Sequence, residues 1–129
     1  MDNVIDEDDN DAFFAALAKA RDPLALTLPQ YQEGAMATAV FNRDGPMEYL
    51  IPALGAEVGE LMDIFAKSSR DGTPMLYDSL KKELGDVLWM VTAIADQLDM
   101  TLEDVARTNL KKLQSRQRRG VLGGSGDNR

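Results

Sequence analysis

Residues 80–95 read LKKELGDVLWMVTAIA. Leu80, Leu84, Val87, Leu88, Val91, Ile94 and Ala95 recur at three- and four-residue spacing, which lines them along a stripe of an α-helix. The alternation that marks a half-buried strand is missing here and along the rest of the chain, so the predicted fold class is all-α. The same stretch carries Glu83 and Asp86, three residues apart and therefore one turn apart on one face. Gly85 stands between them, although a glycine inside a helix costs about 1 kcal/mol relative to alanine. Two such costs would imply that the backbone must approach something closely, and the pattern does occur twice.

Upstream, Leu54-Gly55-Ala56-Glu57-Val58-Gly59-Glu60-Leu61 repeats the arrangement, with Gly59 directly before Glu60. The helix that carries it is predicted over Met47–Lys67, with Pro52 kinking it or splitting off its first turn. Ser68 to Gly72 reads as a break, and Thr73-Pro74 opens the helix that continues to about Leu98. Before these, Thr27 is placed as an N-cap and Pro29 in the first turn of a helix to about Asn42. The turn Asn42-Arg43-Asp44-Gly45 follows, with Asp44 available to cap the next helix. Thr101 with Asp104 makes a capping-box-like start for a last helix that ends before Gly120. A short helix over Asp11–Lys19, closed at Asp22-Pro23, comes first. Short loops between long helices predict an antiparallel four-helix-type bundle, completed by homo-oligomerisation because Trp89, Met90, Val91 and Ile94 spread apolar surface over more than one face. Three segments are expected: an acidic, mobile stretch at 1–22, a helical domain at 23–119, and a Gly-rich tail at 120–129.

Composition narrows the chemistry. The chain has 129 residues, 44% of them hydrophobic, which suits one domain with its own core. It contains no cysteine and no histidine. Disulfides, thiolate metal sites, thiol nucleophiles and every imidazole-dependent triad are thereby excluded. Any catalysis must use carboxylates, hydroxyls, amides, Lys and Arg. The longest apolar run, Val87–Ala95, is far too short to span a bilayer, and the acidic start is unlike a signal peptide, so a cytoplasmic protein is expected. The net charge of −8 is uneven: residues 107–129 hold seven bases against Asp127 alone. An acidic chain disfavours stable nucleic-acid binding, while its basic end could grip a small anion.

Two antiparallel helices with paired acids can gather four carboxylates. Four such groups repel one another unless cations neutralise them, and with no soft ligand present the fitting cations are hard ones, Mg²⁺ first, with Mn²⁺ able to substitute. A di-iron bundle would need the histidine of Glu-x-x-His, and there is none.

Glu57-Val58-Gly59-Glu60, 22 intervening residues, then Glu83-Leu84-Gly85-Asp86, resembles the ExxE…ExxD signature of the all-α, MazG-like nucleoside triphosphate pyrophosphohydrolases. The resemblance covers residues 28–119 and is closest in length to short, single-domain members from bacteria and phages. It implies that 23–119 is a catalytic domain and that divalent ions held by Glu57, Glu60, Glu83 and Asp86 serve hydrolysis of a nucleoside triphosphate to monophosphate and pyrophosphate. It also implies a homodimer or a dimer of dimers whose subunits complete one another's sites. By the same analogy Glu57 is the general base, although the residues alone do not separate it from Glu60. The chemistry is coherent on its own terms: metal ions at phosphate oxygens lower the barrier to attack by water on an already anionic phosphorus.

On the last helix Asn109, Lys112 and Arg116 share one face, and Asn109 with Lys112 matches the Asn-x-x-Lys of the same family, where that helix contacts nucleotide. Trp89 is a candidate wall for the base, with core packing the competing use, and Gln32 could offer its amide to a base edge. A purine deoxynucleotide such as dGTP is the favoured substrate. The alternatives are dCTP, dUTP or a guanosine alarmone, or a non-enzymatic helical interaction module with a structural metal cluster.

Overall fold

A computed structural model describes residues 7–19, 22, 24–41 and 47–124. Within them the chain is helical without strands: α1 (Glu7–Lys19), α2 (Leu28–Ala37), α3 (Met47–Asp71), α4 (Tyr77–Gln97) and α5 (Leu102–Arg118). The turn expected at 42–45, with Asp44 as a cap, lies outside the described residues. No helix among those described is long and apolar enough to cross a membrane.

Two compact units emerge. Residues 28–102 hold α2, α3 and α4. The contacts run between α3 and α4, joined as a hairpin by residues 72–76, and between α2 and α4. Their core is Ala35, Met36, Leu50, Met90 and Ala93, with Tyr31, Phe41, Leu54, Trp89 and Ile94 packed against it. The other unit joins 1–27 with 103–129, where Arg107 stacks over the Phe14 ring at 4.5 Å and pairs with Glu103 one turn back.

Helix ends explain where the boundaries differ from expectation. α3 passes through Ser68 and Arg70 and stops only at Gly72, whose φ of +63° closes the helix while the Thr73 amide returns to the Ser68 carbonyl. α5 ends the same way at Gly120, with Val121 bonding Arg116 O and Gly120 bonding Gln117 O, the paired bonds of a Schellman cap. α4 uses an identical bond pattern at Asp99, Met100 N to Ala95 O and Asp99 N to Asp96 O, but without a glycine: Asp99 sits at φ +55°. Pro52 lies six positions into α3 and does not split it, since the hydrogen bond it forfeits is one near the helix start.

α2 stops at Ala37, short of the expected Asn42. Thr38 bonds back to Ala35 O through both its amide and its hydroxyl, and the Trp89 indole N–H reaches the same carbonyl at 3.2 Å and Thr38 Oγ1 at 3.0 Å. With that acceptor taken, the Ala39 amide turns to Met36 O and the helical ladder ends.

The apolar stripe read on α4 divides into two. Leu80, Val87, Val91 and Ile94 are half-buried, but Leu84 and Leu88 are 55% and 41% exposed. They continue a line with Tyr77, at i, i+7 and i+11. On α3 a matching exposed line runs through Ile51, Val58, Met62 and Phe65. Helical spacing places both lines on the same flank of the hairpin, away from the acids. The surplus apolar surface is therefore carried by these residues. Met90, expected to contribute to it, is buried, and Trp89, Val91 and Ile94 are half-buried.

Candidate metal centre

α3 and α4 turn Glu57 and Glu83 toward each other, both half-buried, with Glu60 exposed beside them. One carboxylate oxygen of each lies within 4.8 Å of the others. Asp86, one turn along α4 from Glu83, is exposed and is not part of that trio, yet its charge is felt at Glu57. Burial first, then the charges of Glu60, Asp86 and Glu83, push the Glu57 carboxyl above the ordinary carboxylate range. Glu83 Oε2 is buried and receives no hydrogen bond from a described residue. A buried carboxylate oxygen without a donor is costly, and convergent anions compound the cost; both are relieved by a cation. The donor set is oxygen only, as a hard divalent ion requires. The residues present fit such an ion.

Gly59 and Gly85 were expected to admit close backbone approach. At both positions nothing among the described residues lies within 4 Å of where a Cβ would stand. Neither glycine is explained by a neighbouring helix among the described residues.

The remaining candidates separate. The Gln32 amide donates to Met100 O at 3.2 Å and to Asp96 Oδ1 at 3.4 Å, while its oxygen accepts the Leu102 amide at 2.6 Å. That last bond satisfies one of the open amides at the start of α5. Gln32 thus acts as a cap supplied from another helix, and its polar atoms are engaged in the fold. Trp89 packs edge-to-face on Phe41 with centroids 6.1 Å apart and spends its N–H on α2, which is the core use of the residue. Asn109 and Lys112 stand exposed on α5, whereas Arg116 is only 5% exposed. Tyr31 was not singled out by any motif. Its phenol is pushed above its ordinary value by burial and then by Asp86. Periodicity marks Tyr31 as an apolar-face residue and gives no sign of that neighbour.

Residues 46–121 match the MazG nucleotide pyrophosphohydrolase domain family. The chain is also 41% identical over 109 residues, 77% of its own length and 96% of the relative's, to the Gene 37 protein of Mycobacterium phage L5. No solved structure gives a significant match.

Proposed function

The chain belongs to the MazG nucleotide pyrophosphohydrolase family, and on that premise we propose that it hydrolyses a (deoxy)nucleoside triphosphate to monophosphate and pyrophosphate at the acid cluster, with Mg²⁺ held by Glu57, Glu60, Glu83 and Asp86. The observation that carries this reading is the trio of carboxylates with oxygens within 4.8 Å of one another, one of which, Glu83, has a buried oxygen without a donor.

Bound there, a divalent ion supplies the neutralisation of phosphate charge that water needs in order to attack. The chain's own groups divide the other tasks. Glu57, whose proton is held more tightly than in a free carboxylate, is assigned the acceptance of the water's proton, because a base works best when its pKa approaches the working pH. Glu60 and Glu83 hold the cation from facing helices, and Asp86, one turn along α4 from Glu83, is the fourth acid assigned to it. Lys112, exposed on α5, is assigned the distal phosphates, with Asn109 beside it; Arg116 is the inner member of that stripe. Among bases, dGTP is placed first, ahead of dCTP, dUTP and a guanosine alarmone.

The reading also includes a second copy of the chain against the apolar flank of the hairpin. Ile51, Val58, Met62 and Phe65 on α3 and Tyr77, Leu84 and Leu88 on α4 leave large apolar side chains exposed along two helical lines, which supports an interface there. Sedimentation at micromolar concentration should show a dimer or larger, and a fully active monomer would overturn this part. The main test is pyrophosphate release from a panel of nucleoside triphosphates with Mg²⁺ or with chelator. Metal-dependent release from at least one nucleotide is expected. Release from none would leave a helical module with a structural metal cluster.

A further inference from the structure

The charge of the chain is split between two segments of one compact unit. Residues 1–11 carry six acids and no base, and residues 107–129 carry seven bases against Asp127 alone. Both lie in the unit formed by 1–27 and 103–129. α1, which holds the acidic segment from Glu7 onward, is seated on α5 through two adjacent, half-buried rings. The Arg107 guanidinium stands over the Phe14 ring, 4.5 Å from its centroid, and Phe13 lines a groove with Leu110, Leu113 and Leu122. Phe13 meets Phe14 edge-on with centroids 5.4 Å apart. Asp9 precedes Phe13 by four residues and Asp11 precedes Phe14 by three, so the register puts each acid one turn behind a ring that meets α5. One turn is a shift of about 5 Å along the axis, well inside the roughly 10 Å over which charges act at about 0.1 M salt.

We propose that α1 is an autoinhibitory strap on α5, its acids offsetting the positive field of that helix and so weakening the chain's hold on nucleotide phosphates. This rests on the pyrophosphohydrolase reading, in which Lys112 takes the distal phosphates, and adds a regulation to the same site. The acids need not touch Lys112. Seven bases on and beyond α5 set up a potential that favours an approaching anion, and negative charge held beside that helix lowers it for any phosphate that arrives. The aromatic contact gives the strap its footing, since a guanidinium over a ring keeps α1 at α5 without consuming a carboxylate of α1. A restraint made of charge weakens as salt rises, whereas a steric one does not.

The triple variant Asp8→Asn, Asp9→Asn, Asp11→Asn removes three of the six acids and keeps both rings. Two measurements decide, each at about 20 mM and about 0.5 M salt: steady-state kinetics with the best nucleotide of the panel, and calorimetric binding of magnesium pyrophosphate, which reads the phosphate contact without turnover. Exposed charges are individually weak, so three of them predict a KM about three- to tenfold lower at low salt, with pyrophosphate bound tighter by a similar factor and kcat unchanged. At high salt both gains should shrink to within twofold of wild type. Phe14→Ala, which keeps every acid and removes the footing, should give a gain of the same sign. KM and pyrophosphate affinity of the triple variant within twofold of wild type at low salt would overturn the proposal. So would a gain that persists in full at high salt, the mark of a steric obstruction, or weaker pyrophosphate binding by Phe14→Ala. Should wild type hydrolyse no nucleotide, the pyrophosphohydrolase reading fails by itself, and calorimetry still decides the strap: absent binding by all three proteins, or equal binding at low salt, overturns it.

Discussion

Replacing Glu57 with Gln removes one charge from the acid cluster at almost constant volume, and the sign of its effect should depend on metal and on pH. Glu57 is held above the ordinary range by burial and by Glu60, Asp86 and Glu83, so its ionised form is the one the fold penalises. Oxygens of Glu60 and Glu83 lie within 4.8 Å of one of its own. Two unit charges at that separation repel by roughly 3.5 kcal/mol at an effective dielectric of 20 and by roughly 0.9 kcal/mol in bulk water. The site is half-open and a raised pKa lets the group partly escape by protonation, so a net relief of about 1–2 kcal/mol is expected, or roughly 3–8 °C in Tm for a domain of this size. A glutamate with a raised folded pKa costs nothing below its unfolded value near 4.5, where both states are neutral, and costs progressively more as pH climbs through the folded value. In chelator, E57Q should therefore melt with wild type at about pH 4 and above it at about pH 8. Millimolar Mg²⁺ should invert that order near neutral pH, because wild type gains binding free energy that the variant largely forgoes. Thermal denaturation followed by circular dichroism, in chelator at about pH 4 and pH 8 and near neutral pH with and without Mg²⁺, reads both effects. An E57Q variant less stable than wild type in chelator at high pH, or one that gains as much from Mg²⁺, would refute the assignment of Glu57 to a repulsive, cation-seeking cluster.

Glu60→Gln and Asp86→Asn should each cut turnover severely with the fold intact, but apo Mn²⁺ titration should show the larger affinity loss for Glu60→Gln, since Asp86 stands outside the oxygen trio. Lys112→Ala should raise KM about ten- to a hundred-fold with little change in kcat if its phosphate contact is uniform along the reaction, or lower kcat at constant KM if the contact forms only in the transition state; metal binding without nucleotide should not move, and unchanged kinetics would return Lys112 to a solvated helix face. Asp99→Gly should stabilise the protein by about 0.5–1 kcal/mol, the left-handed strain of Asp99 relieved less the greater freedom of glycine in the unfolded chain; equilibrium denaturation with urea checks it, and a lower midpoint would mean that the Asp99 side chain has a task of its own.

What the sequence makes legible here is local, and what it hides depends on which faces meet. The spacing of Glu57 with Glu60 and of Glu83 with Asp86 places each pair on one face, and that much needs only the period of a helix. The three-dimensional trio takes both members of the first pair but only Glu83 of the second, because residues three apart differ by about 60° around the helix, and the crossing of α3 on α4 decides which of them points inward. The same limit explains Leu84 and Leu88. Seven apolar positions on α4 cover too wide an arc for one contact, so the period identifies them all and cannot say which line faces α3 and which is left exposed for another surface. The end of α2 is set by Trp89, 51 residues beyond Thr38, and the cap of α5 by Gln32, 70 residues before Leu102. No window around Ala37 or Thr101 contains either partner. The first of these bonds holds α2 against α4, and the second ties α2 to the start of α5. The features the sequence conceals are therefore the tertiary hydrogen bonds that fix a third helix against α4, the helix that bears the second acid pair.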